Sequence, residues 1–141
     1  MFEDVGTVTL SIWVGTGGAV LGALLGATAL TQVRITLTRM GLAPLGDTAY
    51  GLSEYRALGG HLLAGHALTA ALLLQAPKIG ACFAGALSAA WFGAATGRLV
   101  SMARDKGKAP VEFLALDLGL AVLLAAPLWT YVRLIRIHAG L

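Results

Sequence analysis

Four uninterrupted apolar runs, each about as long as a bilayer-crossing helix, constrain this chain more than any other feature. They fall near Val8–Leu30, Tyr55–Leu74, Ile79–Val100 and Val111–Tyr131. A helix rises about 1.5 Å per residue, so roughly 20 apolar residues cross the hydrocarbon core. In lipid, every backbone N–H and C=O must be satisfied within the structure, which leaves helices or closed barrels. The runs are continuous rather than alternating, so helices are expected. In a chain of 141 residues, four spans and their links account for nearly everything. The fold class read from this is an all-α integral membrane four-helix bundle, antiparallel up-down-up-down, forming one domain over residues 1–141.

Composition agrees. Hydrophobic residues make up 57% of the chain and charged residues 12%, against about 25% charged in soluble domains. The net charge is +3, but the Lys and Arg residues are scattered among span ends. That pattern suits lipid headgroups and excludes a nucleic-acid surface. Cys82 is the sole cysteine, so neither an intrachain disulfide nor a Cys-based metal cluster is available. It reads as a small apolar packing residue on the third span. No metal or cofactor motif is found. The N-terminal MFEDVG is acidic and lacks a basic n-region, so the first span reads as retained.

Small residues form stripes. Gly18, Gly22 and Gly26 recur every four residues on the first span, and Gly85, Ala89, Gly93 and Gly97 do so on the third. Such stripes let helix backbones approach closely in lipid, either inside the bundle or against a second copy. The longest link, Thr31 to Ser53, contains a mixed-polarity segment, Arg34 to Leu42, that either extends the first span or lies along the interface. Pro44 to Asp47 reads as a turn and Ser53 as the N-cap of the second helix. Pro77 separates the second and third spans, Pro110 suits the first position of the fourth helix, and Pro127 is placed to kink it.

The first and third links carry Arg34, Arg39, Arg104, Lys106 and Lys108; the opposite side holds Lys78, Arg133 and Arg136. Five cations against three place those links in the cytoplasm and both termini outside. Trp13, Trp129 and Tyr131 fall near one face, as an aromatic belt would.

Ionisable residues inside spans are costly, so each is a candidate for function. Depth groups them. From a helix entry near Ser53, His61 lies about 10–12 Å in and Arg56 about one turn in. On the fourth helix Glu112 is at the rim and Asp117 about 10 Å deep; Arg98 on the third is about 6 Å from its exit. Arg56, His61, Arg98, Glu112 and Asp117 are therefore expected at one end of the bundle, as a ligand-binding set. Asp117 cannot snorkel far and calls for an ion pair across helices, with Arg56, Arg98 or His61 as partner. His61 and His66 are five apart, about 140° around the helix, which does not suit a shared metal. His66 near mid-membrane is expected to hydrogen-bond a neighbouring helix. Trp91 and Phe92 read as packing.

Arg56-Ala57-Leu58-Gly59-Gly60 with Gly65, then Gly97-Arg98-Leu99-Val100-Ser101, a basic link, Pro110 and an acidic fourth helix resemble a bacterial four-span family catalogued as a domain of unknown function and grouped loosely with DoxX-like proteins. The resemblance implies a four-helix bundle with Arg56, Arg98 and the fourth-helix acids as characteristic positions. It implies a place in a bacterial inner (plasma) membrane and no reaction. Membrane glutathione transferases share the size and span number, but their Arg-x-x-Asn-x-x-Glu pattern is absent: Arg56 is followed by Gly59 and Leu62.

Three functions are compatible with these residues. The leading one is binding of a membrane lipid or polar-headed hydrophobic small molecule between the second, third and fourth helices. The others are a structural or accessory subunit docking a homo-oligomer or membrane complex through the glycine stripes, and a membrane enzyme or proton-coupled carrier using His61 and Asp117.

Overall fold

A computed structural model of the chain describes residues 2–39, 49–104 and 111–139. The turn expected at Pro44–Asp47, Pro110 and the basic link with Lys106 and Lys108 lie outside them. Five helices are seen among the described residues: α1 (Phe2–Thr31), α2 (Val33–Arg39), α3 (Ala49–Gln75), α4 (Pro77–Arg104) and α5 (Val111–Ala139). Four of them, over Gly6–Thr31, Leu52–Gln75, Pro77–Arg104 and Val111–Ile137, are long and apolar enough to cross a bilayer. The chain is an all-α helical bundle with the character of a multi-pass membrane protein.

The ends of these helices follow local chemistry. Pro77 lacks the N–H that would continue α3, and α4 begins on it. Ser53 is not an N-cap, because α3 is already helical from Ala49. The segment after the first span, expected either to extend it or to lie along the interface, follows it after Gln32 alone. Helix-type hydrogen bonds run across the join from the Gln32 N–H to the Thr28 carbonyl and from the Thr36 N–H to the Gln32 carbonyl. This segment is the short helix α2, which buries Val33 and Leu37 against the bundle. Pro127 does not interrupt α5. Its ring is buried in the notch left by Gly15.

The long helices form a ring in which α1 packs on α3 and α5, and α4 packs on α5 and α3. Contacting positions rise on one helix as they fall on its neighbour. Gly15, Gly22 and Gly26 meet Leu73, His66 and Leu63; Gly85, Ser88 and Arg98 meet Leu128, Ala121 and Asp117. Each long helix gives one fully buried residue to the central core: Ala19, Leu73, Ala84 and Leu124. Two of the four are alanines, so the helices meet nearly backbone to backbone.

The glycines of α1 make that approach available. A methyl group at Gly26 would overlap the backbone of Leu63 and Gly59, and one at Gly59 would meet the backbone of Leu30 and Ala29. Gly18 seats Leu123 and Leu124, and Gly85 seats Leu128. The rest of the α4 stripe turns outward. Ala89 is exposed, and nothing lies within 4 Å of the Cβ direction at Gly93 or Gly97. Cys82 is also exposed rather than packed.

This division predicts opposite responses in a thermal ramp in mild detergent. Gly26→Leu should lower the midpoint by about 5 °C or more, because overpacking against backbone costs roughly 1–3 kcal/mol or above. Gly93→Ala should leave it unchanged or raise it, since alanine is the better helix former by about 1 kcal/mol. Equal losses at both positions would contradict the packing described.

Candidate functional site

The inward face of α5 is set by residues three or four apart: Asp117, Leu120, Ala121, Leu124, Pro127 and Thr130, all buried. Asp117 belongs to this face and is 1% exposed. A buried carboxylate is strongly unfavourable unless paired and hydrogen-bonded. The partner comes from α4, where Ala84, Ser88, Trp91, Ala95 and Arg98 form the facing strip. The Nε–H of Arg98 donates to Oδ2 of Asp117 at 2.6 Å, with the Arg98 side chain 26% exposed. The guanidinium also sits 5.3 Å from the centre of the Phe113 ring, a cation–π contact. One turn further along α5 on the same seam, the buried hydroxyl of Ser88 donates to the carbonyl of Ala121 at 2.7 Å.

A second polar group lies on the opposite seam. His66 is fully buried on α3, and its ring occupies the space left by Gly22 on α1. The indole N–H of Trp91, a group that only donates, points at Nε2 of His66 over 2.9 Å. Nε2 is therefore the acceptor. The proton sits on Nδ1, which donates to the Leu62 carbonyl at 2.8 Å. The two rings meet edge to face at 62°, with centroids 5.8 Å apart. His66 is thus held as one neutral tautomer and fixes the indole. The expected hydrogen bond to a neighbouring helix is this one.

Between the two seams is a cavity of about 300 Å³. Its walls are the last turns of α1, one face of α2 with Ile35, Thr36 and Arg39, Tyr55 and Leu62 of α3, Trp91 and Arg98 of α4, and the start of α5. Arg98, Asp117, Tyr55, Gln32 and Arg39 bring polar groups to it; Leu25, Ile35, Leu62, Phe113 and Leu116 supply apolar wall, with the Trp91 indole alongside them. Tyr55 lies within coulombic reach of Arg98. The volume is at the small end of the roughly 300–1,000 Å³ typical of ligand sites, and the mixture of apolar wall and few polar groups matches them.

Of the five side chains expected to converge, the structure brings together Arg98 and Asp117. Arg56 is exposed and lines a separate shallow depression with Arg34 and Leu52. His61 is exposed, with Nδ1 bonded to the carbonyl of Ala57 one turn back at 2.7 Å. It does not line the cavity, so no His61–Asp117 acid–base pair is assembled. Glu112 is exposed at the start of α5. These residues share depth but not direction: the buried face of α3 runs through Gly59, His66, Thr69 and Leu73, and Arg56 and His61 fall beside it. Sequence reasoning missed Arg39, Gln32, Tyr55 and Trp91 as cavity residues. The sequence signal there was weak: Val33 and Leu37 are four apart, as one helix face needs, but Ile35 between them makes the segment alternate apolar and polar residues as a strand would. Among the described residues, no cluster of His, Cys, Asp and Glu is arranged to hold a metal.

Compared with family models, curated proteins and solved structures, the chain matches none of them. Function is therefore read from the geometry. The ion pair makes a direct prediction. Asp117→Asn leaves a partly buried guanidinium without its counter-charge, and Arg98→Gln leaves a fully buried carboxylate. Each single change should destabilise the detergent-solubilised bundle more than the double change Arg98→Gln/Asp117→Asn does relative to either single. A double-mutant cycle should give a coupling of about 1–3 kcal/mol. Additive losses would mean the two groups do not interact.

Proposed function

We propose that this chain binds an amphiphile, either a membrane lipid or a polar-headed hydrophobic small molecule, with the head in the cavity beside Arg98 and Asp117. The observation that carries the reading is that the ion pair is not sealed in packed side chains. It forms part of the wall of a cavity whose other surfaces are mostly apolar. The bond to Asp117 uses Nε–H, one of five guanidinium donors, and the terminal amino groups are not consumed by it. Arg98 is thereby oriented by Asp117 and still has donors for a ligand oxygen. The occupant meets α1 and α2 as well as the second, third and fourth long helices. The Arg and Lys distribution favours this end at the cytoplasmic leaflet of a bacterial inner membrane.

Native mass spectrometry of the purified full-length chain tests this. A retained lipid or detergent molecule is expected. It should be lost in Thr28→Trp, which places a bulky side chain on the cavity wall at an exposed position. Equal retention by the two proteins would overturn the assignment.

The outward row on α4 supports a second reading, a docking subunit of a homo-oligomer or membrane complex. Ala86, Ala89, Ala90, Gly93 and Gly97 are all exposed, and such rows favour helix association in lipid. In a Cys82→Ser background, Gly93→Cys should form a disulfide-linked dimer under mild oxidation in membranes. Failure to cross-link would remove self-association through this face.

A further inference from the structure

Among the described residues that line the cavity, the formal charge is unbalanced. They include two permanent cations, Arg39 and Arg98, and one carboxylate, Asp117. The Arg98–Asp117 pair cancels and Arg39 is left over. Arg39 closes α2, is exposed, and has no ion pair among the described residues. Three of the neutral donors around the cavity are committed; the Gln32 amide and the Tyr55 hydroxyl line it as well. The Thr28 hydroxyl donates to the Leu25 carbonyl at 2.8 Å, the Thr36 hydroxyl donates to the Gln32 carbonyl at 3.0 Å, and the Trp91 N–H is held by His66. The charged donors that the described residues bring to the cavity are guanidinium groups, the side chain best suited to carboxylate and phosphate oxygens.

We infer that the site selects a monoanionic amphiphile, with a carboxylate or phosphate-type head received between Arg39 and Arg98 and an acyl chain running along the apolar wall. This deepens the binding reading above and rests on it. Counted over the described residues, a neutral head would leave Arg39 without a counter-charge at the mouth, and a dianion would exceed the one uncancelled cation. The volume takes a head and the first part of a chain. The remainder would pass over Ile35, which lines the cavity and is 53% exposed. In this arrangement α2 is a head-group clamp: Val33 and Leu37 fasten it to the bundle, and Arg39 reaches the ligand from its last turn.

Trp91 provides the readout. With the exposed Trp13 and Trp129 replaced by Phe, it is the only indole left, because the chain has three tryptophans. The full-length protein in zwitterionic-lipid nanodiscs is titrated at mildly alkaline pH with a fatty acid brominated near its carboxylate. The methyl ester of the same acid is run in parallel. The acid is expected to quench Trp91 at about tenfold lower concentration than the ester, and Arg39→Gln should bring the two to parity without altering the thermal midpoint of the unliganded protein. Equal quenching by acid and ester in the parent protein would overturn the charge inference and leave the amphiphile site standing. If neither probe quenches Trp91 beyond the parent partition background, measured on a protein retaining only Trp13, the cavity reading itself fails. Displacement of the acid by inorganic phosphate would support the anion site and assign its ligand to solution rather than lipid.

Discussion

A carboxylate with 1% exposure in the interior of a helical bundle cannot stand alone, and its partner determines much of the rest. Asp117 faces inward because the spacing on α5 puts it there, and its charge requires Arg98 from α4. Binding Asp117 through Nε fixes the guanidinium against the Phe113 ring. An arginine that would otherwise snorkel toward headgroups is thereby held in the cavity wall. The Ser88–Ala121 hydrogen bond deeper on the same seam adds a second polar tie between α4 and α5. In lipid such ties matter because apolar surfaces gain little by leaving one apolar medium for another.

The opposite side of the bundle uses size rather than charge. Glycines on α1 let α3 approach until backbones touch, and Gly22 makes the space in which the His66 ring sits. That ring holds the Trp91 indole by its N–H. Close packing of α1 on α3 and the position of one cavity wall are therefore linked through a single hydrogen bond. At the end of the bundle, where α2 follows α1 and touches α3, the cavity lies between these helices, α4 and α5.

The presence and extent of the four spans were legible in the sequence because continuous apolarity over more than 18 residues has few other meanings. The need of Asp117 for a cross-helix partner was legible too, since a short side chain two turns deep cannot reach water. Depth was calculable from helix rise alone. Direction was not. The long helices are apolar on all sides, with little asymmetry between faces, so pattern could not say that His66 points inward and His61 outward. The α4 stripe illustrates the same limit. Gly85 meets Leu128 while Gly93 and Gly97 face away, although the spacing is uniform. Arg39 was hidden for another reason: its segment is only seven residues long, and its place beside the cavity comes from the tertiary position of α2.

The account stands on the contact between Arg98 and Asp117, and solid-state NMR in lipid bilayers measures it without altering either residue. Selective 15N labelling of arginine and 13C labelling of the aspartate carboxyl would give the Arg98 Nε to Asp117 Cγ distance by dipolar recoupling. A value of about 3.5 Å, as a hydrogen bond of this length requires, is expected. A separation beyond about 6 Å, outside any hydrogen-bond geometry, would contradict the account.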